Sequence, residues 1–206
     1  MTQSADIVRT GRKFEQVLEG AREIFMAEGF EGASVDEIAK AAGVSKATLY
    51  SYFPDKRLLF VEVVRAQCDR MADRAIELIS ECAPPRQILT VAAGHIVRFL
   101  LSDFAQRIFR ICVAERDRFP ELGQSFYANG PQMGKARLAE YLSDAVTRGE
   151  LRIEDIELAA EQFQELCKTR LWLRAAFGIQ EVFSEAEIDY VIDNAVETFM
   201  ARYGAK

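Results

Sequence analysis

The chain contains 206 residues, 50% of them hydrophobic, and its formal net charge is −6 at pH 7. This length and composition exclude a disordered chain, because they allow burial of one ordinary core or of a small domain joined to a larger one. The acidity argues against a protein that coats nucleic acid through bulk positive charge, although net charge says little about one small patch.

Membrane insertion, export and metal binding are not supported by the sequence. No uninterrupted run of about 20 apolar residues is present, and even QILTVAAGHIVRFLL is interrupted by His95 and Arg98. The N-terminal residues MTQSADIVRTGRKF contain no apolar signal-peptide segment, so we expect a cytoplasmic protein without membrane contacts.

The four cysteines, at positions 68, 82, 112 and 167, form no Cys-x-x-Cys pair and have no nearby histidine. We therefore expect no zinc site, and no cofactor of another kind. Reduced thiols in a helical core are the simplest interpretation of these residues. A redox-sensing thiol is the alternative.

Apolar residues recur at helical spacing along nearly the whole chain, so we expect an all-α fold. A first helix is predicted by apolar residues that repeat every three or four positions, namely Phe14, Val17, Leu18, Ala21, Ile24 and Phe25. Gly29 follows as a C-cap, and the capping box SVDE at 34–37 predicts a second helix over about 35–41. After a turn, Ser45 is suited to cap a third helix that reaches about Phe53.

The rest of the chain is also predicted to be helical. Pro54 and Asp55 begin a fourth helix that continues until APPR at 83–86. We place the domain boundary inside this helix, which gives a helix-turn-helix domain over 1–57 and a larger helical domain over 58–206. Further helices, which bring the total to about nine, are predicted near 86–101, 103–117, 120–148 with a kink at Gly130 and Pro131, 154–177 and 184–203.

The last two predicted helices differ in the arrangement of their apolar residues. Helix 184–203 carries one apolar stripe, which includes Ile188, Val191 and Phe199. Helix 154–177 is apolar on more than one face, so it needs cover on two sides. A single chain of this length does not readily supply both covers.

The third helix has two chemically different faces when its residues are placed 100° apart. Leu49 and Phe53 lie on an apolar face that is suited to a small three-helix core. The opposite face is predicted to contact base edges in the major groove of B-DNA through Lys46, Ala47, Tyr50 and Ser51. The expected phosphate contacts are Ser34, Thr48, Tyr52 and Lys56, and the cap residue Ser45 is included in the same DNA-binding surface.

Charge alone does not predict DNA binding for this segment. The first sixty residues hold eight Lys/Arg against nine Asp/Glu, so positive charge has to be segregated by position. Arg9, Arg12 and Lys13 precede the first helix and could act as a basic arm. The alternative is that Tyr50 and Tyr52 are half-buried packing residues at an ordinary helix junction.

Residues 21–60, AREIFMAEGFEGASVDEIAKAAGVSKATLYSYFPDKRLLF, resemble the N-terminal domain of the TetR family of transcriptional regulators. The framework A..IF...GF....V..IA..AGVS..TLY.YF..K..L is matched without a gap over about forty residues. The resemblance implies a homodimer of all-helical subunits, each with a three-helix DNA-reading domain. It further implies that residues 58–206 dimerise through their last two long helices and bind a small molecule that releases a repressor from a palindromic operator. It also implies the same base-facing and phosphate-facing positions, although the family often has histidine where this chain has Tyr52.

The segment FRICVAERDRFPELGQSFYANGP, residues 109–131, is similar to repressors with an efflux-regulator type of ligand domain. An apolar or aromatic effector is expected, and core packing is the alternative role for each candidate pocket residue. The candidates are the aromatic and soft residues His95, Phe99, Phe104, Ile108, Cys112, Phe126, Met133, Phe163, Cys167 and Trp172.

Two other classes of function are alternatives to DNA binding. Catalysis is not expected, because the chain has one histidine and no nucleophile motif or glycine-rich phosphate loop. A dimeric ligand or redox sensor that keeps the fold but no longer binds DNA is the second alternative. The intact segment 43–56 argues against it.

Overall fold

The structure is a computed structural model that describes residues 11–77 and 83–205. Within these ranges all regular elements are helices, and the only β-type pairing is one isolated antiparallel bridge between Leu151 and Gly204, which confirms the all-α prediction. The helices are α1 (Arg12–Gly32), α2 (Val35–Ala41), α3 (Lys46–Tyr52), α4 (Lys56–Glu77), α5 (Pro85–Leu100), α6 (Asp103–Ala114), α7 (Pro120–Tyr127), a π-helical turn (Ala128–Gln132), α8 (Met133–Thr147), α9 (Ile156–Leu166), α10 (Trp172–Ala176) and α11 (Glu185–Tyr203). Arg9 and Cys82 lie outside the described residues.

Two of the predicted long helices are interrupted. The helix predicted over 120–148 contains the π-helical turn, at the place where a kink was expected from Gly130 and Pro131. The helix predicted over 154–177 is wrong as a continuous element, because a turn separates α9 from α10. In this turn the Thr169 hydroxyl donates to the carbonyl of Leu166 at 2.8 Å, and Arg170 adopts a φ of 63°. Both features end a helix without a glycine or proline.

The contacts divide the chain into two compact units. The first unit consists of residues up to Gln67 together with Arg107–Phe126, and the second consists of Cys68–Gln106 together with Tyr127–Lys206. The division falls inside α4, between Gln67 and Cys68. The first unit is larger than the helix-turn-helix domain expected over 1–57, and that domain boundary remains a prediction.

The core of the first unit is built from phenylalanines. The ring of Phe53 stacks on Phe14 with centroids 5.6 Å apart, and the ring of Phe60 packs edge-on against Phe25 at 5.2 Å and Phe30 at 5.5 Å. These five side chains are at most 3% exposed. Their packing fixes α1 to the start of α4 and to the residue that ends α3.

Helices α1 and α2 approach each other at a glycine. A Cβ atom at Gly20 would lie 2.5 Å from the backbone nitrogen of Ala42 and 2.8 Å from its Cα. Backbone atoms cannot yield as a flexible side chain can, so glycine is required at this position for the helices to pack this closely.

Lys56 connects the start of α4 to the end of α1. Its ammonium donates to the carbonyls of Phe30 at 2.7 Å, Ala33 at 3.0 Å and Glu31 at 3.4 Å, and it lies 4.7 Å from the centroid of the Phe30 ring. Carbonyls in the last turn of a helix have no partner within the helix. Since an ammonium group has three donors, this side chain satisfies carbonyls that α1 leaves unpaired.

The second unit has a core that joins α5, α8, α9 and α11. Phe163 of α9 meets Phe199 of α11 edge-on, with ring centroids 5.2 Å apart. The predicted apolar stripe of α11 is buried in this core through Ile188, Val191, Ile192, Ala195, Val196, Phe199 and Tyr203. These side chains are at most 8% exposed, so the stripe packs inside its own subunit and does not present a free face for a second one.

Helices α5 and α6 meet at a corner of 60°. The Ser102 hydroxyl donates to the carbonyl of Phe99 at 2.7 Å, and the buried Gln106 amide donates to the carbonyl of Leu100 at 2.5 Å. Across the described residues no single helix is both long and apolar enough to span a bilayer, and α5 with α6 satisfies that criterion only as a bent pair.

Replacement of Gly20 by alanine is expected to lower the free energy of unfolding by about 1–3 kcal/mol, because the added methyl group overlaps the α2 backbone. Urea unfolding followed by far-UV circular dichroism measures this change. Gly123→Ala in α7 is the matched control, since a Cβ there meets nothing within 4 Å and should stabilise the helix by up to about 1 kcal/mol. Equal stability of the two variants would contradict the close contact.

Replacement of Lys56 by methionine is expected to lower the free energy of unfolding by about 2 kcal/mol, because three carbonyls lose a charged donor. Lys13→Met, at an exposed position in the first turn of α1, should change it by less than about 0.5 kcal/mol. Unchanged stability of the Lys56 variant, combined with a DNA-binding salt slope reduced by about one, would instead assign the ammonium to a phosphate.

Candidate nucleic-acid interface and effector domain

Helix α3 is held in place by its cap and by its apolar side. The Ser45 hydroxyl accepts from the Thr48 amide at 3.1 Å and lies 2.9 Å from the Thr48 hydroxyl. Leu49 and Phe53 are 2% and 1% exposed. As the sequence predicts, the opposite side of the helix faces outward, and Tyr50 is 49% exposed. The predicted base-facing residues Lys46, Ala47, Tyr50 and Ser51 are all exposed.

Several polar groups on this surface are bound to neighbouring protein groups. Lys46 forms an ion pair with Asp36 of α2, and both side chains remain more than half exposed. The Ser51 hydroxyl donates to the carbonyl of Thr48 at 2.7 Å. An exposed pair of this kind contributes little to stability, so Lys46 can exchange its carboxylate for a nucleic-acid acceptor at small cost.

Ser34 begins α2 with the predicted capping box. Its hydroxyl accepts from the Glu37 amide at 3.2 Å and lies 2.6 Å from the Glu37 carboxylate, to which it donates. The Ser34 hydroxyl and, to a smaller extent, the Ser34 amide donate hydrogen bonds to the Glu37 carboxylate, and both lower the pKa of Glu37. The charged carboxylate therefore keeps the Ser34 proton engaged near neutral pH.

The predicted phosphate contacts separate into two groups. Ser34, Ser45 and Thr48 lie at the exposed starts of α2 and α3. Tyr52 is half-buried, and its ring packs edge-on against Phe14 at 5.8 Å, as expected of a packing residue. Lys56 also points into the protein, because its ammonium donates to the carbonyls at the end of α1.

Sequence reasoning missed Asp36, the acidic partner of Lys46. A local signal existed, because Asp36 occupies the first turn of α2 directly after the cap residue Ser34. The two short helices bring this carboxylate to the surface that α3 exposes. Asp36 therefore reduces the positive charge of the candidate interface in the absence of DNA.

The ten candidate pocket residues are distributed over both units. Ile108, Cys112 and Phe126 belong to the first unit, and the remaining seven belong to the second. Five candidates are buried, namely Phe104, Ile108, Cys112, Phe163 and Cys167. Five are partly exposed, namely His95, Phe99, Phe126, Met133 and Trp172. Phe163 and Cys167 are part of the core that α9 forms with α11, so packing accounts for both.

Two surface grooves are present in the second unit. The first has a volume of about 410 Å³ and lies between α5 and α11, where His95, Arg98, Asp189 and Asp193 are among its lining residues. It is open to solvent, and Val91 and Ile192 contribute apolar surface beside these charged groups. The second groove, of about 700 Å³, lies between α9 and α11 and is lined by none of the ten candidates.

Among the described residues, two buried polar atoms of α8 have no hydrogen-bond partner, the Nη1 atom of Arg137 and the hydroxyl of Tyr141. Burial raises the pKa of the Tyr141 hydroxyl, which therefore stays protonated and remains a donor at neutral pH. Arg137 and Tyr141 lie one helical turn apart on the same helix. Because native proteins seldom leave buried polar atoms unpaired, this pair indicates where a polar group of a ligand could be received.

The three described thiols are poorly suited to redox sensing. Burial raises the pKa of Cys68 to about 11 and the pKa values of Cys112 and Cys167 to about 12. The thiolate is the reactive form, and near pH 7 it makes up about one part in ten thousand or less of such thiols. Nor does the described part of the chain bring together three side chains that could hold a metal ion.

Comparison with known proteins identifies both parts of the chain. Residues 17–63 match the family described as "Bacterial regulatory proteins, tetR family", and residues 87–205 match "AefR-like transcriptional repressor, C-terminal domain". The transcriptional repressor AcnR of Corynebacterium glutamicum is 39% identical over 67 residues, which cover 32% of this chain and 34% of AcnR. The chain thus spans about a third of the length of that curated relative.

Solved structures match over almost the whole chain. A TetR-family transcriptional regulator from Mesorhizobium loti is 31% identical with a TM-score of 0.83, and the match covers 99% of this chain and 100% of that one. The flavonoid-responsive regulator FrrA is 34% identical with a TM-score of 0.78, and the match covers 96% of this chain and 100% of FrrA. By its two matching domains and these full-length relatives, the chain belongs to the TetR family of bacterial regulatory proteins.

Proposed function

We propose that this protein is a transcriptional repressor that binds a palindromic operator as a homodimer and is released by a small apolar or aromatic effector. The observation that carries the proposal is the geometry of α3. Its apolar side is buried, and its exposed side carries Lys46, Ala47, Tyr50 and Ser51 on a helix of a width that the major groove admits. The protein is proposed to act in the cytoplasm, where operator DNA is found, and not as an enzyme.

The exposed residues of α3 and the starts of α2 and α3 are proposed to have different roles. Lys46, Tyr50 and Ser51 would contact base edges, with Ala47 allowing close approach. Ser34, Ser45 and Thr48 would contact phosphates from the starts of α2 and α3, with Ser34 exchanging its hydrogen bond to the Glu37 carboxylate for one to a phosphate oxygen. Arg12 and Lys13, exposed in the first turn of α1, would add backbone contacts. In a two-fold dimer the two α3 helices would read half-sites about 34–36 Å apart.

The effector is proposed to be an aromatic molecule with hydroxyl or carbonyl groups. The name of FrrA, which is 34% identical to this chain, states that FrrA responds to flavonoids. Flavonoids combine aromatic rings with phenolic oxygens, and Arg137 and Tyr141 supply two buried donors that have no partner in the part of the chain that the structure describes. Residues of the second unit around α8 are therefore the proposed effector site.

Helix α4 is proposed to connect effector binding to operator release. It runs without a break from Lys56 to Glu77, and its residues belong to both units of the chain. An effector that binds better to a conformation with a shifted α4 would lower operator affinity by the ratio of its affinities for the two conformations. Such a helix can transmit the shift because it continues from the residues of one unit to those of the other.

Selection from randomised duplex DNA is expected to enrich one palindrome. Lys46→Ala and Tyr50→Ala should change the preferred bases and lower affinity for that palindrome by about tenfold or more, because base contacts are lost. Arg116→Ala, at an exposed position in the same unit, is the control and should change neither. Enrichment of no sequence by a folded dimer at low salt would favour the ligand sensor that no longer binds DNA.

Quercetin, as a representative flavonoid, is expected to lower affinity for the selected palindrome, as measured by fluorescence anisotropy. Arg137→Met and Tyr141→Phe should raise the quercetin concentration needed for half-release by about fivefold or more, because each removes one donor. Tyr127→Phe, which alters an exposed tyrosine, should leave it unchanged. A response that is the same in all three variants would contradict the α8 site.

A further inference from the structure

The ion pair between Asp36 and Lys46 places a negative group on the surface that is proposed to contact DNA. Asp36 lies in the first turn of α2 and Lys46 begins α3, and their side chains are 63% and 59% exposed. A carboxylate repels phosphates, and an exposed ion pair adds little to the stability of a fold. Asp36 therefore weakens the general attraction to DNA, which leaves contact with a particular base as the role that fits its position.

Asp36 is the acidic side chain of α2 and α3 that is available to a ligand. The two helices contain two acids, Asp36 and Glu37. The hydroxyl of Ser34 donates to the Glu37 carboxylate at 2.6 Å and the Ser34 amide donates to it at 3.3 Å, so Glu37 cannot turn away without loss of the capping box of α2. The Asp36 carboxylate contacts the ammonium of Lys46 instead. It therefore lies beside a residue that is proposed to contact bases.

The backbone that carries this ion pair is held in place on both sides. Ile38 of α2 and Leu49 of α3 are buried, so each helix is fixed by an apolar side chain. In the turn between the helices, the Val44 amide donates to the carbonyl of Ala39 at 3.0 Å. The two charged groups are therefore presented from a preorganised support, which lowers the entropic cost of a contact with DNA.

Both members of the ion pair retain hydrogen-bonding capacity. An ammonium group carries three donors, and an ionised carboxylate has about four acceptor positions. The mutual contact occupies one donor of Lys46 and one acceptor position of Asp36, and the remaining ones can bind another molecule. In the major groove guanine presents the acceptors O6 and N7, and its partner cytosine presents the N4 amino donor. A G·C base pair therefore offers complementary groups to both charges.

We infer that Asp36 and Lys46 together recognise one G·C base pair in each operator half-site. Lys46 donates to O6 and N7 of guanine, and Asp36 accepts from N4 of cytosine. O6 and N4 are neighbours because they are hydrogen-bonded within the base pair, and the ammonium and the carboxylate are likewise neighbours in the protein. The ion pair therefore remains intact on the DNA. The inference rests on the proposed operator binding and adds Asp36 to the residues that contact bases.

The same arrangement ranks the possible base pairs, written with the base that contacts Lys46 first. In a C·G pair the ammonium would face an amino group and the carboxylate would face O6, so both contacts would be repulsive. A T·A pair retains contacts at O4 of thymine and N6 of adenine but lacks the guanine N7 acceptor. We therefore expect G·C to be preferred, T·A to be second, and C·G and A·T to be disfavoured.

Asp36→Ala tests the inference through selection from randomised duplex DNA, followed by fluorescence anisotropy on the selected palindrome. Lys46→Ala identifies the base pair that Lys46 contacts, and Asp36→Ala should relax the preference at that same base pair. With one half-site changed, the ratio of affinities for G·C over C·G is expected to fall by about tenfold, which is the size of one good base contact. Affinity for unrelated DNA should rise, because a negative charge is removed.

Asp117→Ala is the matched control for the change in charge. It also removes an exposed acid from an ion pair of the first unit, in this case with Arg116 in the turn after α6. Every base preference of this variant should equal that of the wild type.

Asp36→Asn provides a second variant that keeps the shape of the side chain. An amide accepts from N6 of adenine and donates to its N7, so the preferred base pair should change from G·C to T·A. Equal far-UV circular dichroism and thermal unfolding of the variants show that each has folded.

Three outcomes would contradict the inference while operator binding stands. Both substitutions of Asp36 could leave the base preferences of the selected palindrome unchanged. They could raise affinity equally for all sequences, in which case Asp36 acts only through its charge. They could also alter a base pair other than the one that Lys46→Ala alters. Selection of no palindrome by the folded wild-type dimer would overturn both the inference and the proposed function.

Discussion

The burial of Leu49 and Phe53 is the contact on which the candidate DNA-binding surface depends. Helix α3 has only seven residues, and an isolated helix of that length is not stable in water. Its position therefore comes from packing, since Phe53 stacks on Phe14 of α1. Gly20 permits the close approach of α1 to α2, and Lys56 connects the start of α4 to the last carbonyls of α1. Since these contacts fix one side of α3, they also decide which residues the other side exposes. The exposed residues Lys46 and Tyr50, which are proposed to contact bases, contribute little to this arrangement, whereas Ser34 and Ser45 also cap α2 and α3.

Local patterns allowed much of this arrangement to be predicted from sequence. The capping box of Ser34 with Glu37 and the cap at Ser45 involve residues three positions apart, and the apolar face of α3 follows from helical spacing. The contacts of Lys56 could not be predicted in the same way, because its carbonyl partners lie 23 to 26 residues earlier in the chain. The break between α9 and α10 is also invisible to spacing, because it depends on the conformation of Arg170 and not on a glycine or proline. Aromatic candidates such as Phe163 were ambiguous because cores and ligand pockets use the same side chains.

The second unit divides its apolar residues between its own core and its surface. Helix α11 gives its complete stripe to the core, and α9 gives Phe163 to the same core while Leu158 remains 46% exposed. The two-sided apolar character predicted for 154–177 is therefore real, although the break places its later residues on a separate short helix and on the loop that follows. An uninterrupted helix would continue the straight α9 axis through these residues. The turn at Arg170 instead allows Leu171 to enter the core while Leu173 and Phe177 remain exposed. The same break thus supplies apolar residues both to the core and to the surface of the second unit.

The unpaired polar atoms of α8 set a limit on how an effector could act. Each buried donor without a partner costs about 1–3 kcal/mol, so a ligand oxygen that satisfies both Arg137 and Tyr141 could recover about 2–6 kcal/mol. Reversal of a conformational equilibrium from 1:99 to 99:1 requires about 5.5 kcal/mol of preference for one state. An effector that releases the operator has to bind the released state more tightly. Hydrogen bonds to α8 would supply that preference only if protein groups satisfied both donors in the operator-bound state and left both donors free for the effector in the released state. If the donors are equally unpaired in both states, these hydrogen bonds give affinity without release. In that case the preference has to come from apolar contacts that differ between the two positions of α4.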